Sequence, residues 1–194
     1  MLAPQAHLTD EDRERGLRNL ILEAGFPNAT GAMTTGVILT AFALHMGASN
    51  AVIGVLAALP FLAQLLQAPA ILLVERLRAR KRVAVLSSVA GRLMLAVMAA
   101  LAFFGGGPIA LLGLVVAPAG FCSPGAIGSC AWNAWIKDVA PDARLGRVFS
   151  RRTIYATASS LVFGLAAAIL LDRAPEGTSL RDWAFAALYG CGAI

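Results

Sequence analysis

Charge is absent from three long stretches of this chain: residues 24–74, 93–136 and 153–171 contain no Asp, Glu, Lys or Arg. A water-soluble domain needs charged surface on each of its elements, whereas an uncharged apolar run of about 18 residues or more reads as a membrane span. The first stretch is too long for one crossing. A helix over residues 24–74 would reach roughly 76 Å at about 1.5 Å per residue, against a hydrocarbon core of about 30 Å. It must fold back, and Gly47-Ala48-Ser49-Asn50 supplies the residue types of a tight turn.

Extending this reading predicts an all-α, polytopic bundle of transmembrane helices. A cytoplasmic segment (1–18) precedes a six-helix membrane region (19–194). The spans are expected at Asn19–Met46, from the first turn to Val74, Val83–Phe104, Ile109–Ile136, Thr153–Leu171, and from Asp182 onward. Gly105-Gly106-Gly107-Pro108 marks the second tight turn. Span 6 is short: roughly 20 residues are needed to cross, and fewer stand between Asp182 and Ile194. The expectation is therefore a chain that stops within a span, as a fragment or a truncated reading frame. Its counterpart would be a missing C-terminal half or a second copy.

The basic residues fall on one side of these spans. Arg13, Arg15 and Arg18 precede span 1, a dense cluster runs from Arg76 to Arg82, and another lies between Lys137 and Arg152. The opposite side has only Arg173 and Arg181. By the positive-inside rule the N-terminus and both basic loops face the cytoplasm, in a multi-pass protein of the cell (inner) membrane. The net charge of +5 is thus a topology signal, and nucleic-acid binding is not expected. No secretory signal is evident. The acidic and basic residues from Asp10 to Arg15 suit a solvated helix, with Thr9 and Asp12 at its start. Cys122, Cys130 and Cys191 form no C-x-x-C pair and have no His at ligand spacing, so neither a metal site nor a cofactor is expected.

Several polar residues stand in apolar surroundings. Arg92 lies ten residues beyond Arg82, about 15 Å into its span. A charge at that depth is costly, which makes it a candidate for a cavity or substrate contact; structural pairing is the other reading. Asn28, Gln64, Gln67 and Asn133 either line the same cavity or hydrogen-bond between helices. Glu23, one turn before Pro27, is a candidate for proton or cation coupling or an interfacial residue. His45 reads as interfacial, and Trp132 and Trp135 as belt residues at headgroup level. Small residues recur four apart in Asn28, Ala32, Gly36 and Thr40 and in Ala156, Ser160, Gly164 and Ala168. Both stripes suit close helix contact. Pro118, Gly120, Pro124, Gly125 and Gly128 make span 4 the span most open to a break, which in a membrane marks either a transport site or a plain kink.

The 2–3 loop, Ile71-Leu72-Leu73-Val74-Glu75-Arg76-Leu77-Arg78-Ala79-Arg80, resembles a G-x-L-x-D-R-x-G-R-[RK] motif. Leu73 and Arg76 match and Glu75 keeps the acid. Ile71 and Arg78 replace the glycines and Ala79 an arginine, while Arg80-Lys81-Arg82 restores the basic cluster. Trp132 to Pro141 followed by Arg144 to Arg152 resembles a W-x-x-W-x-x-D-x-x-P…R-G-R-x-F-x-x-R segment. Both belong to the major facilitator superfamily, the second to a bacterial branch of it, and the chain resembles its N-terminal six-helix half. The resemblance implies half of a twelve-span fold and a secondary active transporter of a small solute, working by alternating access. It also implies a cytoplasmic charge network of Glu75, Arg76, Asp138 and Arg147 that latches the outward-facing state.

Other functions have less in the sequence. No G-x-x-x-x-G-K-[ST], H-E-x-x-H or G-x-S-x-G is present, so neither ATP hydrolysis nor a membrane-embedded enzyme is expected. A non-transporting remnant, scaffold or sensor is the alternative. The expected partners are the lipid bilayer and a small solute, with proton or cation coupling.

Overall fold

A computed structural model describes the backbone of residues 10–77, 80–139 and 142–194, and the side chains of 14–72, 74–76, 82–133 and 146–194. Among these residues there are helices and turns and no strand. The helices are α1 (Asp10–Glu23), α2 (Gly25–Thr34), α3 (Val37–His45), α4 (Asn50–Leu65), α5 (Gln67–Leu77), α6 (Arg80–Leu101), α7 (Pro108–Val139), α8 (Asp142–Asp172) and α9 (Ser179–Ala193). Four stretches are long and apolar enough to cross a membrane: Asn50–Arg76, Arg82–Leu101, Pro108–Asn133 and Gly146–Asp172. The expected first span is divided among α1, α2 and α3, and α9 has 15 residues.

The breaks fall elsewhere than in span 4, and each has a local cause. α7 runs unbroken through Pro118 and Pro124. In span 1 the helix bends at Ala24 and stops at Thr35. Pro27 lacks the N–H that would bond the Glu23 carbonyl, which accounts for the first bend. At the second, Thr34 Oγ1 donates to the Thr30 carbonyl and Thr35 Oγ1 to the Gly31 carbonyl, both at 2.7 Å. Such back-bonding competes with the helical ladder. Thr35 is then extended and Gly36 takes φ 57°, ψ −123°, a conformation suited to glycine. The division of span 2 at Leu66 follows from Pro69 in the same way.

The two small-residue stripes meet each other. α2 lies along α8, where Ser160 Oγ donates to the Asn28 carbonyl at 3.3 Å. A Cβ placed on Gly164 would stand 3.6 Å from that of Ala32. α6 and α7 make the broadest contact. The glycines of span 4 serve it: a Cβ on Gly128 would approach Ser87 Cβ to 3.1 Å, and one on Gly120 would meet Met94 at 2.9 Å.

Packing is uneven along the bundle. The main core gathers toward the end opposite the basic segments, with Phe42, Met98, Leu114, Phe185 and Tyr189 fully buried. Phe42 stacks on Phe185 and Tyr189 with centroids 4.9 and 5.2 Å apart. At the same end His45 Nε2 donates to Asp182 Oδ1 at 2.7 Å, joining α3 to α9. Arg181 Nη1 donates to the Ala174 carbonyl at 3.0 Å. It thereby satisfies a carbonyl left free beyond the C-terminus of α8. Among the described residues of the basic end, Leu17, Leu20 and Val148 form a small cluster with Ile21 and Trp132 packed against it.

Candidate functional site

Below that small cluster the bundle is hollow. A vestibule of about 900 Å³ opens between α1, α2, α6, α7 and α8. The bend at Ala24 sets Glu23 on its wall, α6 contributes Arg92, α7 contributes Trp132 and Asn133, and α8 contributes Arg152. Two guanidinium groups therefore face one carboxylate. None of the three makes an ion pair among the described residues.

Arg152 is the best-placed of these groups. Its guanidinium lies over the Trp132 ring, 4.1 Å from the centroid. At that distance the cation is attracted by the ring quadrupole. Its Nε is buried and has no hydrogen-bond partner. Arg92 is more open, and its Nη1 donates to the Ile194 carbonyl at 2.7 Å. Asn133 is exposed to the vestibule.

A second, smaller cavity of about 450 Å³ sits at the break between α2 and α3. Thr34, Thr35 and Gly36 line one side of it and Leu56, Pro60, Pro118 and Tyr189 the other. Phe121 borders both cavities.

The structure thus brings together three of the sequence candidates, Glu23, Arg92 and Asn133. It adds Arg152 and Trp132, which by sequence alone fall in a basic loop and a headgroup belt. Asn28, Gln64 and Gln67 line neither cavity. Asn28 Nδ2 donates to the Ala24 carbonyl at 2.8 Å. Gln64 is exposed. Gln67 Nε2 donates to Ser129 Oγ at 3.5 Å, a link between α5 and α7 behind the vestibule wall. Of the expected charge network, Glu75, Arg76 and Arg147 are exposed. The side chain of Asp138 lies outside the described residues, as do those of Thr9, Asp12 and Trp135.

No family model, curated protein or solved structure matches the chain. The chemistry of the site rests on its own geometry: a donor-rich hollow among five helices, with the aromatic core of Phe42, Phe185 and Tyr189 elsewhere in the bundle.

Proposed function

We propose that the chain is a multi-pass membrane protein acting as a secondary transporter of a small solute by alternating access. The carrying observation is the one-sided packing. The bundle is tight where Phe42, Phe185 and Tyr189 meet and hollow where Glu23, Arg92 and Arg152 stand. A transporter resting between exchanges needs one closed end and one open one, and a site near the middle. The exposed surface supports the membrane setting. Val37, Phe61 and Ile109 are 83%, 77% and 87% exposed, an apolar surface suited to lipid or to a second bundle.

By the positive-inside rule the distribution of Lys and Arg supports a vestibule that faces the cytoplasm in the cell membrane. The resemblance of the 2–3 and 4–5 loops to the major facilitator superfamily supports the same reading. On it the Glu75, Arg76, Asp138 and Arg147 network latches the outward-facing state, and Glu23 is the group available for proton or cation coupling.

The test uses Asn133→Cys in a chain whose other cysteines are replaced by Ser, probed with a membrane-impermeant thiol reagent. Labelling is expected from the cytoplasmic face of inverted vesicles and not from the outside of intact cells. Labelling from the outside alone would overturn the orientation. In proteoliposomes, flux of at least one of a panel of neutral, anionic and cationic solutes should exceed that of protein-free vesicles. No excess for any of them would overturn transport.

A further inference from the structure

A guanidinium that is partly buried with no anionic partner needs an explanation, because desolvating it costs free energy that a counter-ion normally offsets. Among the described residues Arg152 is in that position: its guanidinium carbon lies 4.1 Å from the Trp132 ring centroid and its buried Nε has no partner. The paired N–H groups of a guanidinium form a two-point donor edge. Carboxylate and phosphate match that edge; chloride does not. Arg92 lines the same hollow, its Nη1 bonded to the main-chain oxygen of Ile194, and the Asn133 amide adds neutral donors. Among the described side chains of the wall, Glu23 is the one acid against two arginines, a balance that favours an anion. The cavity lies among five helices of the bundle, which favours a dissolved solute over a lipid headgroup approaching from the bilayer.

We propose that the vestibule is an oxyanion-binding site, in which Arg152 laid on Trp132 and Arg92 together hold the carboxylate or phosphate head of a small water-soluble solute. This rests on the transporter reading for its biological meaning, and on the geometry alone for its binding chemistry. Among the described residues Arg92 has one hydrogen bond, to the main-chain oxygen of Ile194.

Trp132 reports on the site directly, since an anion that draws Arg152 or shields it changes the ring's surroundings. The experiment takes the chain with Trp135→Phe and Trp183→Phe in phosphatidylcholine nanodiscs. It follows Trp132 fluorescence while inorganic phosphate, succinate or chloride is added at constant ionic strength. A saturable change with phosphate or succinate and none with chloride is expected. Arg152→Gln should weaken it about tenfold or more, the loss of a charge-assisted pair. Arg152→Lys, which keeps the charge without the fork, should fall between. Arg92→Gln is the safeguard against misfolding, because this side chain is exposed; it should weaken binding while leaving the circular dichroism of the chain unchanged.

The inference is overturned if neither oxyanion gives a saturable change, if chloride matches them, or if Arg152→Gln and Arg92→Gln both bind like the parent. It is also overturned if phosphatidylglycerol in the nanodisc changes Trp132 while phosphate and succinate do not, since the ligand would then be a lipid headgroup. The two readings fail separately. Flux of a neutral or cationic solute without oxyanion binding removes this inference and leaves transport standing. Oxyanion binding without flux of any solute does the reverse.

Discussion

Arg152 stands one position before the uncharged run 153–171, and by that spacing it belongs to the basic loop. In the structure α8 begins at Asp142, so Arg152 is well inside a helix and beside Trp132. The sequence shows where charge stops, not where the helix starts, and that is why this residue escaped notice while Arg92, isolated among apolar neighbours, did not. The His45–Asp182 pair, 137 positions apart, has no local signal at all. It should nonetheless be measurable: His45→Ala is expected to destabilise the chain by about 1 kcal/mol, read as a lower thermal midpoint in detergent. Gly36 carries a backbone constraint instead. At φ 57° an added Cβ is strained though the space around it is open, so Gly36→Ala should cost roughly 1–3 kcal/mol.

At the scale of elements, apolar runs and turn residues locate α6, α7 and the end of α8 to within a few positions, because hydrophobic length and glycine-rich turns are local properties. Proline was the misleading guide. Pro118 and Pro124 pointed to a break in α7, which is continuous, while the interruptions lie at Ala24, Thr35 and Leu66. Whether a proline bends a helix or is absorbed depends on the neighbours that hold it, and α7 is braced by α6 along much of its length. The small-residue stripes announced close contact without naming the partner. Their pairing across α2 and α8 yields a graded test. Gly164→Ala should be tolerated, its Cβ meeting Ala32 at 3.6 Å. Gly164→Leu should part the helices and cost roughly 1–3 kcal/mol, and equal stability of the two variants would contradict this interface.

For the molecule as a whole, the charge asymmetry makes the strongest statement. A reporter fused after Arg82 should read cytoplasmic and one after Gly106 external, and the opposite pattern would reverse the proposed topology. The closed end depends on close approach between turns as well as on its aromatic core. A Cβ on Gly106 would lie 2.8 Å from the Met46 carbonyl oxygen, and backbone cannot swing aside as a side chain can. Gly106→Ala should therefore loosen that end, detectable as external labelling of the Asn133→Cys thiol that is absent in the parent. Function was the least legible level. Charge and hydropathy describe what surrounds the bundle, whereas a hollow is made by residues from five helices, and their convergence is a three-dimensional fact.

Phe121 touches both the vestibule and the smaller cavity at the α2–α3 break. Where a packed layer of side chains separates two compartments, opening a path means sliding helices, a motion of microseconds to milliseconds. A single ring can turn aside far faster, while the helices stay in place. On the transport reading proposed above, Phe121→Ala would join the two cavities and exchange selectivity for leak.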